Sequence, residues 1–197
     1  FEYLRAVDVG KLFSTEFTGE RLPTLEEVIE AAKGKAKLIV ELKSYGTNAD
    51  LLVADVVQLF KSHNLFSDAV IMSLEYNEVQ EVERLDTRIT TGFVASAALG
   101  NISKLNVDFL AVNRTMATNT FIATAHSYGK EVFVWTIDDP RVMATMIDRG
   151  ADNIITNDPA AVVRVLDERA GLSNAERIRL RVKGLYLNSR PVGPRVN

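Results

Sequence analysis

Strands and helices alternate along this chain, and this alternation limits the fold more than any other feature. Six apolar runs rich in branched side chains are each followed by a helix or a helical stretch. Such alternation builds a parallel sheet whose crossover connections are right-handed. No linker rich in Pro, Gly or Ser interrupts it, so the sequence predicts a single α/β domain. The six predicted strands cover residues 38–43, 69–74, 89–95, 108–112, 131–136 and 153–156.

The predicted helices and the chain ends set the domain boundaries. Thr24 and Glu27 have the spacing of a capping box, and the helix that they begin ends at a glycine. Residues 1–22 show no sustained period and are predicted to be an irregular loop, and residues 187–197 are predicted to be a disordered tail. The domain is therefore assigned to residues 23–186. Its later helices are predicted at residues 50–63, 77–85, 119–128, 140–148, 159–168 and 173–185, with a weakly helical stretch after residue 95.

The first strand carries two opposite charges inside an otherwise apolar run. Side chains alternate along a strand, so Ile39, Glu41 and Lys43 share one face, and the residues between them form an apolar face suited to covering helices. Functional sites in parallel α/β folds lie at the carboxyl ends of the strands, where Glu41 and Lys43 are placed. The strand alone leaves two interpretations open, which are a binding site and a strand end whose charged side chains reach water.

Composition excludes several classes of function. The net charge of −3 and the lack of basic or basic-aromatic clusters argue against a nucleic-acid partner. The absence of cysteine excludes disulfides, thiolate metal ligands and thiol nucleophiles, but it indicates no compartment. No apolar run approaches the roughly 18–20 residues that span a bilayer, so the chain by itself is expected to be soluble. It begins with Phe rather than Met, which indicates a processed or truncated product.

Single residues and short motifs give weak signals when they are taken one at a time. The chain lacks the GxxxxGK[ST], GxGxxG, GxSxG and HExxH patterns, and His63 and His126 are interpreted as structural or surface residues. Trp135 lies near the end of a predicted strand, where the pattern is consistent with a core position or with a ligand platform. Asp158 and the pair Asp138–Asp139 precede prolines that open helices, so capping explains at least one acid at each place without a metal ion.

Four longer motifs occur in a characteristic order. They are GERLPTLEEVIE at residues 19–30, LIVELK at 38–43, AHSYGKEVFVWTIDDP at 125–140 and GADNIITNDPAAV at 150–162. Together they resemble the glycerophosphodiester phosphodiesterase family of (β/α)8-barrel enzymes. The resemblance implies a TIM barrel that hydrolyses glycerophosphodiesters to glycerol 3-phosphate and an alcohol. It also implies a divalent metal ion, Mg²⁺ or Ca²⁺, held by carboxylates, and two histidines that act as base and acid.

The resemblance gives roles to three residues of this chain. Glu41 matches the metal-binding Glu of the family's ELK-like motif, Lys43 matches the Lys near the substrate phosphate, and Trp135 matches the aromatic residue at the mouth of the pocket. A cation beside Glu41 and a phosphate beside Lys43 would each offset the desolvation of these charges. The resemblance therefore favours a binding site over a solvated strand end.

Other motifs of the family have no counterpart here. The HRG motif, the paired Glu and Asp of the second strand and the following His-Asp all come before the point that corresponds to Phe1. The resemblance thus implies a partial barrel with about six of eight βα units, no catalytic residue in this chain and an incomplete metal site. Residues 1–22 correspond to the end of an insertion after the second strand. The missing part is contiguous, which favours truncation over the scattered losses of a pseudoenzyme.

These observations leave two functions open. The first is a metal-dependent phosphodiesterase, here inactive alone, whose partner is a small-molecule glycerophosphodiester. The alternative is a noncatalytic module that binds a phosphorylated ligand or a partner protein through Lys43 and Trp135.

Six strands leave two free edges, so self-association through residues 38–43 and 153–156 is expected. Membrane contact is expected only through parts outside this chain. The short apolar stripe of the helix at 173–185 favours a helix packed on the domain and leaves a membrane-surface helix as the alternative.

Overall fold

The computed structural model describes residues 2–45, 48–97, 100–172 and 176, and within them the predicted alternation is confirmed. Six parallel strands form one curled sheet in sequential order, with a helix or a helical turn between successive strands, as in part of a TIM barrel. Each strand begins and ends within two residues of its predicted bounds. The strands are β1 (Leu38–Leu42), β2 (Ala69–Ser73), β3 (Thr91–Ala95), β4 (Phe109–Asn113), β5 (Glu131–Trp135) and β6 (Asn153–Ile154).

Three helices begin where the sequence predicts caps. Thr24 and Glu27 form a complete capping box, in which each side chain accepts a hydrogen bond from the other residue's backbone N–H. Asp139 and Asp158 cap two later helices by accepting N–H bonds from the first turn. Local side-chain chemistry therefore fixes these three helix starts. The helices are α1 (Glu2–Ala6), α2 (Leu25–Ala32), α3 (Ala49–Ser62), α4 (Tyr76–Leu85), α5 (Asn119–Ser127), α6 (Pro140–Arg149) and α7 (Pro159–Ala170).

The outer face of the sheet packs against the helices. On β1 this face carries Leu38, Val40 and Leu42, which join an apolar cluster that includes the buried side chains of α3. The prediction that β1 has one apolar face for covering helices is therefore confirmed. A second apolar cluster joins the later strands to α5, α6 and α7. Both clusters contain the outward-pointing side chains of the strands. Because side chains alternate along a strand, packing of these outward residues against the helices determines which residues point to the inner face.

The inner face of the sheet is also apolar near its centre. Phe109 of β4 and Phe133 of β5 stack there with ring centroids 4.3 Å apart. Gly92 of β3 makes room for them, since a Cβ atom at that position would lie 2.1 Å from the Phe109 ring. The strand register places Glu41 opposite Met72, and Met72 opposite Gly92, so β1 carries Glu41 on this inner face.

Residues 2–22, here called the amino-terminal segment, contain more order than the predicted irregular loop. The segment has α1, a 3₁₀ turn at Thr15–Phe17 and a single antiparallel bridge between Asp8 and Arg21. Asp8 organises it, because its carboxylate accepts three backbone N–H bonds, from Gly10, Lys11 and Gly19. This order comes from one side chain bonding to the backbone, which leaves no periodic pattern in the sequence.

The two outer strands of the sheet have one strand neighbour each within the described part of the chain. β1 pairs with β2 alone, and β6 pairs with β5 alone. The prediction of two sheet edges is consistent with this pairing among the described residues. The predicted helix at residues 173–185, apart from Glu176, and the predicted tail at residues 187–197 lie outside the described residues.

Candidate active site

Glu41 and Lys43 lie together at the carboxyl end of β1. The Lys43 ammonium is 3.3 Å from Glu41 Oε2, as the alternation of side chains along an extended chain predicts. The Glu41 side chain is 27% exposed and the Lys43 side chain is 56% exposed, so both groups can be reached from solvent. A pair this exposed contributes little to stability, about 0–1 kcal/mol. The pair places an anion and a cation at one position on the inner face.

A buried carboxyl group supports the end of β1 from the outer side of the sheet. Ser73 Oγ lies 3.3 Å from the Leu42 carbonyl oxygen and 2.7 Å from Glu78 Oε2, and it accepts a hydrogen bond from the N–H of Glu75. Glu78 is 5% exposed, and its Oε1 atom is buried without a hydrogen-bond partner among the described residues. Leu42 stands between Glu41 and Lys43, so this chain of contacts reaches the backbone that carries the charged pair.

Sequence reasoning did not identify the role of Glu78. A glutamate in the first turn of an amphipathic helix is ordinarily exposed, where it interacts favourably with the helix dipole. One sequence feature could have indicated this role, namely that Glu78 follows Ser73, the last residue of β2, by only five residues. Such a short connection places the first turn of α4 next to the end of β2.

Trp135 is the last residue of β5 and belongs to the same inner face. Its side chain packs against the inner apolar cluster, which includes Phe109 and Phe133. The indole Nε1–H is buried and has no acceptor among the described residues. A buried Trp N–H ordinarily has a partner. Trp135 is thus a wall of the inner face and carries a buried hydrogen-bond donor that no described residue satisfies.

The adjacent acids after β5 have separate structural roles. Asp138 joins two loops, since it accepts hydrogen bonds from the backbone and side-chain N–H groups of Asn157 and from the hydroxyl of Thr156. These bonds, chiefly those from Asn157, hold the pKa of Asp138 below its ordinary value. Asp139 caps α6 and pairs with Arg141, which lowers the pKa of Asp139. Capping is confirmed for Asp139, whereas Asp138 fastens the loop after β6 to the loop that follows Trp135.

Both histidines lie at the other end of the sheet. His63 follows α3, with its ring nitrogens 3.4 Å from Glu26 and 3.2 Å from Glu30 of α2. His126 Nε2 is 2.8 Å from Asp152 Oδ2, and the same oxygen accepts the N–H of Val132 near the start of β5. Helices run antiparallel to the strands they follow, so these last-turn positions are far from the carboxyl ends of the strands. Their surroundings agree with the interpretation of both histidines as structural or surface residues.

The described residues do not form a complete metal centre. Among them, no three His, Cys, Asp or Glu side chains are grouped closely enough to hold a metal ion. Mg²⁺ and Ca²⁺ take about six to eight oxygen ligands, mostly from carboxylates, carbonyls and water. Glu41 fits this ligand chemistry as one carboxylate at a position open to solvent.

No helix in the described part of the chain is both long enough and apolar enough to cross a membrane.

A cavity of about 440 Å³ lies at the amino-terminal ends of the strands and is lined by residues that include Leu38, His63 and Asp68. A smaller one of about 90 Å³ lies at the carboxyl ends, beside Arg114 and Asp138. Polar groups suited to chemistry are at the carboxyl ends, so we place the candidate site there, on the open inner face, and not at the larger cavity.

Known proteins share this fold and parts of this sequence. A glycerophosphodiester phosphodiesterase of Caldanaerobacter subterraneus is 25% identical over 170 residues, which cover 84% of this chain and 70% of that protein. The crystal structure of a glycerophosphodiester phosphodiesterase from Parabacteroides distasonis superposes with a TM-score of 0.75 and 26% identity, over 86% of this chain and 71% of that one. An Oleispira antarctica phosphodiesterase, solved with the product sn-glycerol-3-phosphate, superposes with a TM-score of 0.77 and 22% identity, over 84% and 70% of the two chains.

The family assignment follows from the extent of the match. The family model described as the glycerophosphoryl diester phosphodiesterase family matches residues 1–161. This range contains the amino-terminal segment, all six strands and the three residues Glu41, Lys43 and Trp135. The sequential order of parallel strands agrees with that match. This chain belongs to the glycerophosphoryl diester phosphodiesterase family.

Proposed function

We propose that this chain carries part of the active site of a metal-dependent phosphodiesterase that hydrolyses glycerophosphodiesters to glycerol 3-phosphate and an alcohol. The observation that carries the proposal is the pairing of Glu41 with Lys43 at the carboxyl end of β1, in a chain of this family. The Oleispira phosphodiesterase, which has the same fold, holds sn-glycerol-3-phosphate as its product, and this supports the same ligand class.

Each of the three residues has a role that its chemistry suits. Lys43 presents an exposed ammonium group to the phosphoryl oxygens of the substrate. Glu41 serves as one carboxylate ligand of the metal ion, and the metal when bound supplies charge stabilisation and activates water. Trp135 donates its buried indole N–H to an oxygen of the ligand and excludes water from one side of it. The acid and base of the reaction are not assigned to residues of this chain.

A second candidate function uses the same residues without hydrolysis. Lys43 and the free N–H of Trp135 are two donors suited to a phosphorylated ligand, and neither requires a metal ion. A binding module built on them would hold glycerol 3-phosphate or a related phosphate with modest affinity. The two candidates differ in whether any longer protein that contains this chain turns over glycerophosphodiesters.

The experiment that tests the proposal is a titration of the purified 197-residue chain with glycerol 3-phosphate, followed by nuclear magnetic resonance. We expect binding that weakens about tenfold in Lys43→Ala, which is about 1.4 kcal/mol. Lys37→Ala is the matched control, because Lys37 precedes β1 at the opposite end of the same strand. Binding that is unaffected by Lys43→Ala, or equally weakened by both changes, would refute the proposed phosphate site.

A hydrolysis assay tests whether the chain is active by itself. We expect the chain alone to hydrolyse glycerophosphocholine no faster than buffer, because acid–base catalysis contributes about 10²- to 10⁴-fold and metal activation adds more. We also expect no tight Mg²⁺ or Ca²⁺ binding to the isolated chain, as measured by titration calorimetry. Metal-dependent turnover that disappears in Glu41→Ala would show that the chain is active alone and would contradict the expected inactivity.

A further inference from the structure

Glu41 and Lys43 are each other's only ion-pair partners in the part of the chain that the structure describes. The Lys43 ammonium is 3.3 Å from Glu41 Oε2, and among the described residues no other acid pairs with Lys43 and no other base pairs with Glu41. Both side chains reach solvent at the carboxyl end of β1. The pair therefore has no net charge at the place proposed for a phosphate and a metal ion.

The distance within this ion pair limits where a phosphate can bind. A phosphoryl oxygen that accepts a hydrogen bond from a Lys ammonium lies about 2.7–2.9 Å from the nitrogen. Because the Lys43 nitrogen is 3.3 Å from Glu41 Oε2, the phosphoryl and carboxylate oxygens are then at most about 6 Å apart. A phosphate bound to Lys43 is therefore repelled by the carboxylate of Glu41. If Lys43 turns away from Glu41 to avoid this repulsion, the attraction within the ion pair is lost instead.

The same ion pair opposes a cation at Glu41. A cation on the Glu41 carboxylate would stand beside the Lys43 ammonium, which is 3.3 Å from one oxygen of that carboxylate, and like charges repel. Each ligand alone is thus opposed by the residue that the other ligand requires. When both ligands are present, Glu41 faces a cation and Lys43 faces an anion, so the attraction between the two ligands offsets both repulsions.

We infer that the Glu41–Lys43 ion pair makes phosphate binding and cation binding depend on each other. The inference rests on the proposed function and adds the regulation of its site, since the ion pair weakens the binding of either ligand alone and favours the two together. Such a dependence is a coupling free energy, so it acts equally in both directions. A carboxylate that only held a metal ion would not affect phosphate binding in the absence of metal, whereas here the loss of the Glu41 charge strengthens it.

The first test is a titration of the 197-residue chain with glycerol 3-phosphate in metal-free buffer of low ionic strength, followed by nuclear magnetic resonance. We expect Glu41→Gln to bind about three- to tenfold more tightly than the wild-type chain, which is the effect of removing one charge about 6 Å away near a protein surface. The matched control is Glu168→Gln, which removes the same charge from the last turn of α7 and should change the affinity less than about twofold. Circular dichroism checks that both variants remain folded.

A second titration measures the coupling itself. Excess MgCl₂ should strengthen glycerol 3-phosphate binding to the wild-type chain by at least about threefold relative to KCl of equal ionic strength. The same addition should leave Glu41→Gln unchanged, and this variant also controls for magnesium that glycerol 3-phosphate binds in solution. Lys43→Met keeps an aliphatic side chain without the charge, and it should bind Mg²⁺ about three- to tenfold more tightly than the wild-type chain does.

Each other outcome overturns the inference in an identifiable way. Phosphate binding that is equal or weaker in Glu41→Gln, or a magnesium effect that this variant retains, would remove the coupling. If Lys43→Ala still weakens phosphate binding in that case, the proposed phosphate site stands and only the coupling is lost. Phosphate binding that no change at Lys43 affects would remove the proposed site and the coupling together. An increase of equal size in Glu168→Gln would assign the effect to net charge rather than to the ion pair.

Discussion

The amino-terminal segment and the curled sheet are stabilised in opposite ways. The sheet buries its apolar side chains in three clusters and leaves its charges at the strand ends. The segment instead exposes its apolar side chains and is held by the carboxylates of Asp8 and, through Arg5, of Glu27. One region depends on the hydrophobic effect, and the other depends on hydrogen bonds to ionised groups.

Because they are stabilised differently, the two regions should respond to different perturbations. Loss of a buried apolar side chain should destabilise the sheet but leave the hydrogen bonds that hold the segment unaffected. Acid should loosen the segment before it affects the clusters, because those clusters contain few ionisable groups. Four predictions, in decreasing order of their effect on the free energy of unfolding, test this contrast.

Two phenylalanines provide the strongest test. Phe109→Ala removes a ring that is 1% exposed and stacked on Phe133, so the free energy of unfolding should fall by about 3–5 kcal/mol. Phe13→Ala removes a ring that is 85% exposed, and the change should stay within about 0.5 kcal/mol. Urea denaturation monitored by circular dichroism measures both values. Equal losses from the two variants would contradict the contrast between the regions.

The buried Glu78 is an intermediate case, since it is a polar group inside the apolar region. Glu78→Ala leaves the hydroxyl of Ser73 without one of its partners and should lower the free energy of unfolding by about 1–3 kcal/mol. Glu78→Gln preserves the shape and offers an amide N–H to Ser73, so its loss should be under about 1 kcal/mol. Urea denaturation measures the free energy of unfolding of both variants. A glutamine variant as unstable as the alanine variant would show that the contact between Glu78 and Ser73 contributes little to stability.

Acid should release the amino-terminal segment. The guanidinium of Arg5 holds the pKa of Glu27 at about 2, and backbone bonds, first that from Lys11, hold the pKa of Asp8 below its ordinary value. A lowered carboxyl pKa gives stability that is present above the unfolded value and is lost as pH falls through the folded value. The segment should therefore loosen as pH falls from about 4.5 to about 2. Hydrogen exchange at the Gly19 amide measures this release.

The control for the acid prediction is Glu27→Gln, which removes the titrating carboxylate of α2 that pairs with Arg5 of the segment. Gly19 exchange in this variant should be faster at neutral pH and should change less with acid. An exchange rate that rises only together with global unfolding would show that the segment is not a separate unit.

The open edges of the sheet should affect association more than stability. Ile39 lies on the edge strand β1 and is 39% exposed, so Ile39→Lys should reduce self-association with little change in the free energy of unfolding. Light scattering should show a dimer or a larger species for the wild-type chain and a smaller one for this variant. Leu51→Lys on α3, which replaces a side chain that is 68% exposed, is the control and should leave the size unchanged. A monodisperse wild-type monomer at tens of micromolar would contradict the prediction.

The sequence predicted the sheet well, because its strands and helices have strong periods and its helix caps are local. Alternation alone also predicted that Glu41 and Lys43 would be neighbours on one face. Three features could not be predicted this way. The order of the segment depends on Asp8 bonding to residues up to 11 positions away, the burial of Glu78 depends on packing between β2 and α4, and the unpartnered N–H of Trp135 depends on its full surroundings.

The sequential order of the six strands has a consequence for how the molecule forms. Each strand pairs with the strand that comes next in the chain, and the register partners are 17–31 residues apart. Loops of such similar length have similar closure entropies, so no strand pair in the sheet is much harder to close than another. We expect each βα unit to dock on the preceding one while the polypeptide leaves the ribosome, so that synthesis itself sets the order of assembly.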